Sequence, residues 1–356
     1  MKIYQLNSAL GFGDAITNHI LETDKVLRKW GFDTHIFAEY IDFRIPHDSI
    51  KVDKYYQEHM KSKDDLLIYH YSAYCNNITL YNTSRNLKIF EYHNVTPPEY
   101  FKGYDDNLWS ICKRGRDELK NLTKCNLSIG VSEYNRRELI EHGFEDRKSD
   151  VLPIFLHYSE YESVELNDDL YKKFHDDFVN ILFVGRISPN KKIEDLIKTF
   201  YFYKKINPKS RLFIVGAKFL CDYDKELANF VKALRLKDVY FTDKVPLSDL
   251  KTYYELANIF LCMSEHEGFC VPLIESMYFG IPIIAYNSTA IPYTLENAGI
   301  LINKKDYAEI AELIDLLVQD EKLRSRIIAN QFERLNFFNR DTVEKKFKNI
   351  IERVVS

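Results

Sequence analysis

Glycine and proline are scarce in this sequence, with 12 and 10 occurrences among 356 residues, and no segment has a low-complexity composition. This scarcity argues against a disordered tail or a long flexible linker. Hydrophobic residues make up 46% of the chain and charged residues 29%, which is typical of a globular protein. The length is enough for two ordinary α/β domains and rather long for a single hydrophobic core.

Metal-binding cysteine patterns, excess basic charge and long apolar runs are also missing. The six cysteines form no C-x-x-C pair or Cys/His cluster, so we expect no structural zinc site. The net charge of −4 argues against nucleic acid as a partner. No apolar run approaches the ~20 residues of a membrane span, and residues 2–6 read as a strand rather than a signal segment. We therefore expect a cytoplasmic protein, with peripheral contact at the inner face of the membrane left open.

Short apolar runs alternate with segments of helical periodicity, which predicts an α/β protein with parallel sheets covered by helices on both faces. The predicted strands are 2–6, 34–41, 65–72, 87–93, 127–132, 149–155, 180–185, 211–216, 239–242, 259–263, 282–286 and 300–302. The predicted helices include 14–29, 133–141, 193–200, 272–279, 306–318, 321–334 and 341–354. The polar stretch from Tyr158 to Asp177 interrupts the pattern. We therefore expect two doubly wound domains with a ligand between them, at the carboxyl ends of the strands.

The segment 264–275 follows a predicted strand and leads into the predicted helix 272–279. Pro272 suits the first helical position, and Gly280 followed by Pro282 ends the helix. A helix N-terminus has free N–H groups and a partial positive charge. This end of the helix therefore suits an anionic group such as a diphosphate.

Two acids flank this anion site, Glu267 in the loop and Glu275 in the first turns of the helix. With a sugar nucleotide as ligand, both are placed to accept hydrogen bonds from vicinal hydroxyl groups of the sugar and of the ribose. The alternative is that Glu275 only complements the helix dipole and that Glu267 is a solvated loop acid.

A second loop, residues 185–192, follows the first predicted strand of the second half and leads into a helix. Arg186 and Lys191 lie five residues apart across this turn, so both can reach one pair of phosphates. A leaving nucleoside diphosphate gains negative charge as its bond to the sugar breaks, and fixed cations there lower the barrier. The alternative is that they are solvated turn cations, as we expect for Lys192.

The second half contains an ordered set of segments, 183–191, 215–216, 245–254, 267–275 and 280–285. In order and spacing, including the E-x7-E pair of Glu267 and Glu275, this set resembles the retaining glycosyltransferases of family 4. That family has the GT-B fold, two Rossmann-like doubly wound domains facing across a cleft. The resemblance implies an acceptor-binding domain (1–157), an interdomain segment (158–178) and a donor-binding domain (179–340), with the helix 341–356 packing back onto the first domain.

By this resemblance, Arg186 and Lys191 bind the donor diphosphate, Glu275 the ribose and Glu267 the transferred sugar. The implied donor-binding residues are Gly13, Arg186, Lys191, Gly216, Val245, Glu267, Gly268, Phe269, Cys270, Val271, Pro272, Leu273 and Glu275. Two positions depart from the family pattern. Cys270 stands where glycine is common, and Tyr293 follows Pro292 where an acid is common. The first departure bears on the shape of the sugar pocket.

The first half resembles the family less closely. The loop 10–14 is either a Gly-rich loop that approaches the donor phosphates or an ordinary tight turn with Asp14 as a helix cap. His93 is similar to the family's histidine that faces the donor sugar, which implies a catalytic role for it beside Glu267, Lys191 and Arg186. His70 and Asn94 are assigned to the acceptor cleft, although His70 could equally pack in the core. Ser132 is expected to cap the following helix.

The resemblance implies retaining transfer of a sugar from a nucleoside-diphosphate sugar to a hydroxyl of a glycan or lipid-linked saccharide in polysaccharide biosynthesis. Uridine diphosphate is the expected carrier by family frequency, and neither a metal nor another cofactor is expected. The alternatives are a nucleotide-sugar epimerase of the same fold and a non-catalytic sugar-nucleotide-binding protein. A Rossmann dehydrogenase fits poorly, because Ile16 stands where the third glycine of its phosphate-binding turn would be.

Overall fold

The computed structural model describes residues 1–45, 50–51, 59–156 and 158–355. The chain forms two compact units. Unit 1 comprises Met1–Lys102, Asp106–Leu156 and Phe338–Ser356, and unit 2 comprises Gly103–Asp105 and His157–Phe337. The expected domain boundary at residue 157 lies outside the described residues.

Unit 1 is built on a parallel sheet of seven strands in the order β3-β2-β1-β4-β5-β6-β7. Its strands are β1 (Lys2–Leu10), β2 (Asp33–Ile41), β3 (Ile50–Lys51), β4 (Leu66–Tyr71), β5 (Leu87–Tyr92), β6 (Leu127–Gly130) and β7 (Ser149–Val151). All six residues of β4 are buried, as expected of a central parallel strand with both faces covered. The chain leaves β1 toward β2 on one side and returns to β4 on the other, so the strand order reverses between β1 and β4.

The α-helices of unit 1 are α1 (Ala15–Lys29), α2 (Asn77–Thr83), α3 (Asp106–Glu118), α4 (Glu133–Glu141) and α14 (Arg340–Val355). Both predicted helix caps are confirmed: Asp14 accepts a hydrogen bond from the N–H of Thr17, and Ser132 from that of Asn135. The C-terminal helix α14 belongs to this unit. Its apolar face, which includes Phe347, packs in one core with residues of β1, β4, β5 and α1.

Unit 2 is built on a parallel sheet of six strands in the order β10-β9-β8-β11-β12-β13. Its strands are β8 (Val179–Val184), β9 (Ser210–Val215), β10 (Val239–Asp243), β11 (Ile259–Cys262), β12 (Ile283–Tyr286) and β13 (Ile300–Ile302). Here the strand order reverses between β8 and β11. At such a point the loops that follow the two strands run in opposite directions and leave a crevice, where ligands of doubly wound folds bind.

In the part of the chain that the structure describes, nine α-helices lie between the last strand of unit 1 and α14. They are α5 (Ser159–Glu162), α6 (Asp168–Phe174), α7 (Ile193–Ile206), α8 (Cys221–Ala233), α9 (Leu247–Leu256), α10 (Val271–Tyr278), α11 (Ile291–Leu295), α12 (Tyr307–Gln319) and α13 (Glu321–Phe338). The predicted inner face of α7 is confirmed, since Ile193, Leu196, Ile197 and Phe200 are fully buried. The polar segment 158–178 lies with unit 2 rather than forming a separate linker, because Tyr161 and Phe174 are part of its core.

No helix among the described residues combines the length and the apolar character needed to cross a bilayer.

Candidate functional site

Two loops meet where the strand order of unit 2 reverses, one after β8 and one after β11. The side chain of Asn190 donates a hydrogen bond to the backbone oxygen of His266 at 3.0 Å, and the N–H of Glu265 donates to the backbone oxygen of Asn190 at 2.9 Å. Asn190 is itself buried. These bonds hold the two loops in register, so the side chains that follow Asn190 and Glu265 occupy fixed positions.

Lys191 and Glu267 form an ion pair across these loops. The Nζ of Lys191 lies 2.5 Å from Oε2 of Glu267, and their side chains are 19% and 9% exposed. The N–H of Glu267 donates to the hydroxyl of Thr289 at 2.8 Å, which fixes the loop from the other side. Burial alone would lower the pKa of Lys191, but the carboxylate of Glu267 outweighs it and raises that pKa above its usual value. Lys191 is therefore a fixed cation with one strong partner.

Gly216 lies at the end of β9, against the loop that follows β8. Its φ is 149°, and a Cβ atom there would be 2.0 Å from the backbone oxygen of Gly185. The N–H of Gly185 donates to the backbone oxygen of Val215 at 2.9 Å, so the two strand ends are in direct contact. Packing alone therefore demands glycine at position 216. Val245, another expected donor-binding residue, is partly buried against the core of unit 2.

Arg186 lies on the loop that follows β8, as Lys191 does. Its side chain is exposed, and its guanidinium lies 4.7 Å from the ring centroid of Phe219. The two cations have different partners in the structure: Lys191 contacts Glu267, whereas Arg186 stacks on the ring of Phe219 after the neighbouring strand β9. Stacking leaves the five N–H donors of a guanidinium available at its edge.

A cavity of about 570 Å³ lies beside Phe219, and none of the expected donor-binding residues lines it. It is lined by Ile187, Lys218, Phe219, Cys221, Asp224, Lys225, Ala228 and Phe241.

Helix α10 begins at Val271, so Pro272 is its second residue rather than its first as predicted. The residue before the helix, Cys270, adopts a left-handed conformation with φ 72° and makes no side-chain cap. Leu273 is fully buried and its N–H donates to the backbone oxygen of Cys270 at 3.1 Å. Its side chain faces the core, so only the backbone of Leu273 can meet a ligand.

Cys270 occupies a conformation that favours glycine, and its thiol is buried beside Cys262. The sulfur atoms of Cys262 and Cys270 and a carboxylate oxygen of Glu267 lie within 4.8 Å of one another. The contact with Cys262, together with burial, holds the pKa of the Cys270 thiol well above its usual value. The thiol is therefore a neutral, space-filling group next to the Lys191–Glu267 pair.

Glu275 lies on α10 with both carboxylate oxygens engaged. The hydroxyl of Tyr161 donates to Oε1 and the hydroxyl of Tyr254 donates to Oε2, each at 2.7 Å. Burial raises the pKa of Glu275, and the two tyrosine hydrogen bonds oppose that rise. The role of Tyr161 was missed because it lies in a polar stretch without helical periodicity. Tyr254 belongs to one of the family-like segments.

In unit 1, the loop before α1 is a tight turn. Gly13 has φ 70°, the N–H of Asp14 donates to the backbone oxygen of Gly11, and the N–H of Gly11 donates to the hydroxyl of Thr17. The side chain of Asn94, assigned to the acceptor cleft, is buried and donates to Asn135 at 2.9 Å and to Glu138 at 3.0 Å. These bonds tie Asn94 to helix α4.

The structure brings His70 and His93 together. Their Nδ1 and Nε2 atoms are 3.1 Å apart, and burial lowers the pKa of His70 to about 4 and that of His93 well below its usual value. Two further residues, His19 and Glu91, complete the cluster and were missed. The spacing of Glu91 and His93 in one extended segment was a usable signal, since residues i and i+2 of a strand share a face.

Comparisons with known proteins bear on the family and on the fold. Residues 171–334 match the family model of glycosyl transferases group 1. The chain is 30% identical over 206 residues to the capsular polysaccharide biosynthesis glycosyltransferase CapM of Staphylococcus aureus, covering 54% of this chain and 49% of CapM. It is 28% identical over 177 residues, 49% of this chain and 48% of the relative, to an alpha-1,4-N-acetyl-D-galactosaminyltransferase of Campylobacter jejuni whose name includes a diNAcBac-PP-undecaprenol glycan. The match thus spans about half the length of these curated relatives.

Among solved structures, the fold is similar to that of HepE from Anabaena in complex with UDP and glucose. The TM-score is 0.78 at 18% identity, with 99% of each chain covered. At this identity the likeness concerns the fold, and it extends over both units. The chain therefore has the GT-B fold, and residues 171–334, which lie in its second unit, are similar to the glycosyl transferases group 1.

Proposed function

We propose that the chain is a retaining glycosyltransferase that moves a sugar from a nucleoside-diphosphate sugar to a hydroxyl group of a glycan or glycolipid. The observation that carries the proposal is the Lys191–Glu267 pair, held where the strand order of unit 2 reverses and beside the start of α10. A cation, an acid and the N-terminus of a helix at one strand edge are the partners that a sugar diphosphate requires.

The diphosphate is the part of the donor that these groups fit best. Phosphate oxygens replace Glu267 as the partner of Lys191, and the partial positive charge at the start of α10 adds to the attraction. Arg186, exposed and stacked on Phe219, supplies a second cation from the neighbouring strand end. Fixed positive charge at this position stabilises the leaving diphosphate as the glycosidic bond breaks.

Glu267 and Glu275 accept hydrogen bonds from the hydroxyl groups of the donor. Once Lys191 turns to phosphate, Glu267 is released to accept hydrogen bonds from hydroxyls of the transferred sugar. Glu275 accepts from the ribose through the lone pairs that Tyr161 and Tyr254 leave free, because each carboxylate oxygen can accept two hydrogen bonds. The two tyrosines act as positioning residues, since they fix the plane of the carboxylate.

The transfer itself conserves the anomeric configuration. The bond between the anomeric carbon and the diphosphate oxygen breaks, and its electron pair stays on the diphosphate. The acceptor oxygen bonds to the anomeric carbon on the same face and gives its proton to the leaving phosphate. Lys191 and the helix end stabilise the charge that develops, so this step is proposed to need no metal ion.

Several observations on similar proteins support the choice of substrates. HepE was solved with UDP and glucose, which favours a UDP-sugar as the donor. The names of CapM and of the Campylobacter jejuni relative place those proteins in capsule and undecaprenol-linked glycan synthesis. A glycan or lipid-linked saccharide acceptor, reached by peripheral contact with a membrane from the cytoplasm, fits such a role.

The stereochemistry of the product tests the proposal. The anomeric proton of the newly linked sugar is observed by NMR, and the same coupling class as in the donor is expected. An inverted product would contradict retention. Release of free UDP and a 2-epimerised sugar without an acceptor product would instead identify an epimerase on this fold.

A further inference from the structure

A cluster of four buried titratable side chains lies on one face of the unit 1 sheet. His19 is on α1, His70 on β4 and Glu91 on β5, and His93 follows β5 directly. His70 and Glu91 are paired residues of the parallel ladder, which places their side chains on the same face of the sheet. The potential ligand atoms of the four residues all lie within 4.8 Å of one another, and the most exposed of the four, His93, is 8% accessible.

Hydrogen bonds from outside the cluster set the tautomers of two histidines. The N–H of Phe155 donates to Nδ1 of His19 at 2.9 Å, so the proton of neutral His19 is on Nε2 and is donated to Oε1 of Glu91 at 2.7 Å. Gln5 donates its amide N–H to the backbone oxygen of Ile20, so its own oxygen accepts from Nε2 of His70 at 2.9 Å. Nδ1 of neutral His70 is therefore a lone pair.

This lone pair lies close to a carboxylate oxygen and to a second imidazole nitrogen, from which it accepts a hydrogen bond while no ion is bound. Nδ1 of His70 lies 3.3 Å from Oε2 of Glu91 and 3.1 Å from Nε2 of His93. Oε2 of Glu91 accepts no hydrogen bond from any of the residues that the structure describes, although Glu91 is only 1% exposed. A buried carboxylate oxygen without a partner is costly. The arrangement calls for a cation among these three atoms.

We propose that Nδ1 of His70, Oε2 of Glu91 and Nε2 of His93 bind a divalent transition-metal ion, with Zn²⁺ as the first candidate. Imidazole nitrogens with one carboxylate suit zinc or iron, whereas magnesium and calcium prefer oxygen ligands alone. Two ligands of a tetrahedral zinc ion with bonds of about 2.0–2.1 Å are about 3.3–3.4 Å apart. Nδ1 of His70 lies 3.1 Å from Nε2 of His93 and 3.3 Å from Oε2 of Glu91, which is close to this ligand–ligand distance.

The surrounding residues already have the arrangement of an outer coordination shell. Gln5 accepts the N–H on the far side of the His70 ring, and His19 holds the other oxygen of Glu91. Such partners fix the orientation of metal ligands and raise their basicity. Binding requires the proton of His93 to sit on Nδ1, so the ion replaces a hydrogen bond between the two histidines. The site lies in unit 1 alone and does not depend on the proposed transfer reaction.

Metal titration of the full chain tests the proposal. After chelator treatment and removal of the chelator, Zn²⁺ and Co²⁺ are titrated by calorimetry, and binding of one ion per chain with a dissociation constant in the micromolar range or below is expected. Binding should also raise Tm, because the ion stabilises the folded state. Co²⁺ should give visible absorption without a thiolate charge-transfer band, since no cysteine is among the ligands.

Single substitutions distinguish the metal ligands from the other residues of unit 1. Glu91→Gln and His70→Gln should abolish the visible Co²⁺ spectrum, and Gln5→Leu should weaken binding about 10–100-fold. His35→Gln, in the same unit but outside the cluster, should bind as the wild type does. Because a substitution in the cluster can also unfold the protein, the wild-type titration decides by itself. Folded wild-type protein that binds no ion overturns the proposal and assigns a proton on Nδ1 of His70 as the partner of Glu91. A thiolate-to-Co²⁺ band would also overturn it, since that places the ion at Cys262 and Cys270.

Discussion

Lys191 and Glu267, 76 residues apart in the chain, form an ion pair with 2.5 Å between the Nζ and Oε2 atoms. In the proposed mechanism these two residues bind different parts of the donor, the diphosphate and the transferred sugar. The pair therefore keeps both groups in place before the donor arrives, and the donor must separate them. Each charge has a partner in both states, which avoids leaving a buried charge unpaired.

Replacing either member of the pair should abolish transfer while the fold remains. Lys191→Met removes the cation that stabilises the leaving diphosphate, and Glu267→Gln removes the acid that binds the sugar. Each should lower kcat/KM at least about hundredfold. Steady-state assays of donor turnover measure the effect, and circular dichroism checks the fold.

Two control variants sharpen this test. Lys192→Met changes the neighbouring lysine, which pairs with Glu194 and Glu265 at 3.4 and 3.5 Å, and should keep turnover within a few-fold of wild type. The double variant Lys191→Met/Glu267→Gln should be more stable than either single variant, because no charge is left without its partner. Near-wild-type turnover in both single variants would contradict the assignment.

The burial of Glu275 predicts a pH dependence of stability. Because burial raises the pKa of Glu275 in the folded protein, the folded state keeps a proton that the unfolded chain releases. Its contribution to stability is present below the usual carboxyl pKa and is lost as pH rises through the raised value. Relative to Glu275→Gln, the wild type should therefore lose free energy of unfolding between about pH 4 and pH 7.

Removing the tyrosine hydroxyls should strengthen that dependence. Tyr161→Phe/Tyr254→Phe deletes two hydrogen bonds that lower the pKa of Glu275, so its pKa rises further and stability falls more steeply with pH. Tyr253→Phe, on the same helix as Tyr254 but without a recorded bond to Glu275, is the matched control. The free energy of unfolding in urea is measured at both pH values for the wild type, Glu275→Gln, Tyr161→Phe/Tyr254→Phe and Tyr253→Phe. An equal loss of this free energy with pH in the wild type and in the double tyrosine variant would refute the explanation.

Much of the fold followed from the sequence because parallel strands are buried on both faces. The predicted strand 180–185 therefore matches β8 within one residue at each end, and the periodicity of 193–200 marks the buried face of α7. Helices α2 and α3 were not predicted. The apolar residues of α3 are interspersed with many charged ones, and only Cys112 and Gly115 of that helix are buried.

The site was predicted in part for similar physical reasons. Lys191 and Glu267 were found because both lie in loops that follow neighbouring strands, β8 and β11, and such loops meet at one edge of a parallel sheet. The contact of His19 with Glu91, 72 residues away, depends on how α1 packs over β5, which no local pattern encodes. The position of Arg186 on Phe219 likewise depends on side-chain packing, and the convergence of Arg186 and Lys191 on a diphosphate stays a prediction.

Gly216 should tolerate no side chain. Gly216→Ala places a Cβ 2.0 Å from the backbone oxygen of Gly185 at a φ of 149°, and the expected loss of stability is at least about 3 kcal/mol. Gly31→Ala also puts an alanine at a positive φ, 87°, but the new Cβ meets no atom within 4 Å. It should lower the free energy of unfolding by only about 1–2 kcal/mol. Denaturant unfolding compares them, and equal losses would mean that the close contact of the strand ends is not rigid.

The C-terminal helix α14 should be essential to the stability of unit 1. Phe347 is 1% exposed in a core shared with β1, β4 and β5, so Phe347→Ala should cost about 3–5 kcal/mol. Phe43→Ala in the same unit removes a ring that is 93% exposed and should change stability by less than about 0.5 kcal/mol. Similar effects of the two substitutions in thermal unfolding would show that α14 does not pack as described.

The central claim is that unit 2 binds a nucleoside-diphosphate sugar and releases the nucleotide during transfer. Nucleotide release is measured with uridine, guanosine and adenosine diphosphate sugars, with and without saccharide acceptors, for the wild type and for Lys191→Met. The account predicts release from one donor, stimulated by an acceptor and lost in Lys191→Met. Folded wild-type protein that binds none of these donors would contradict it.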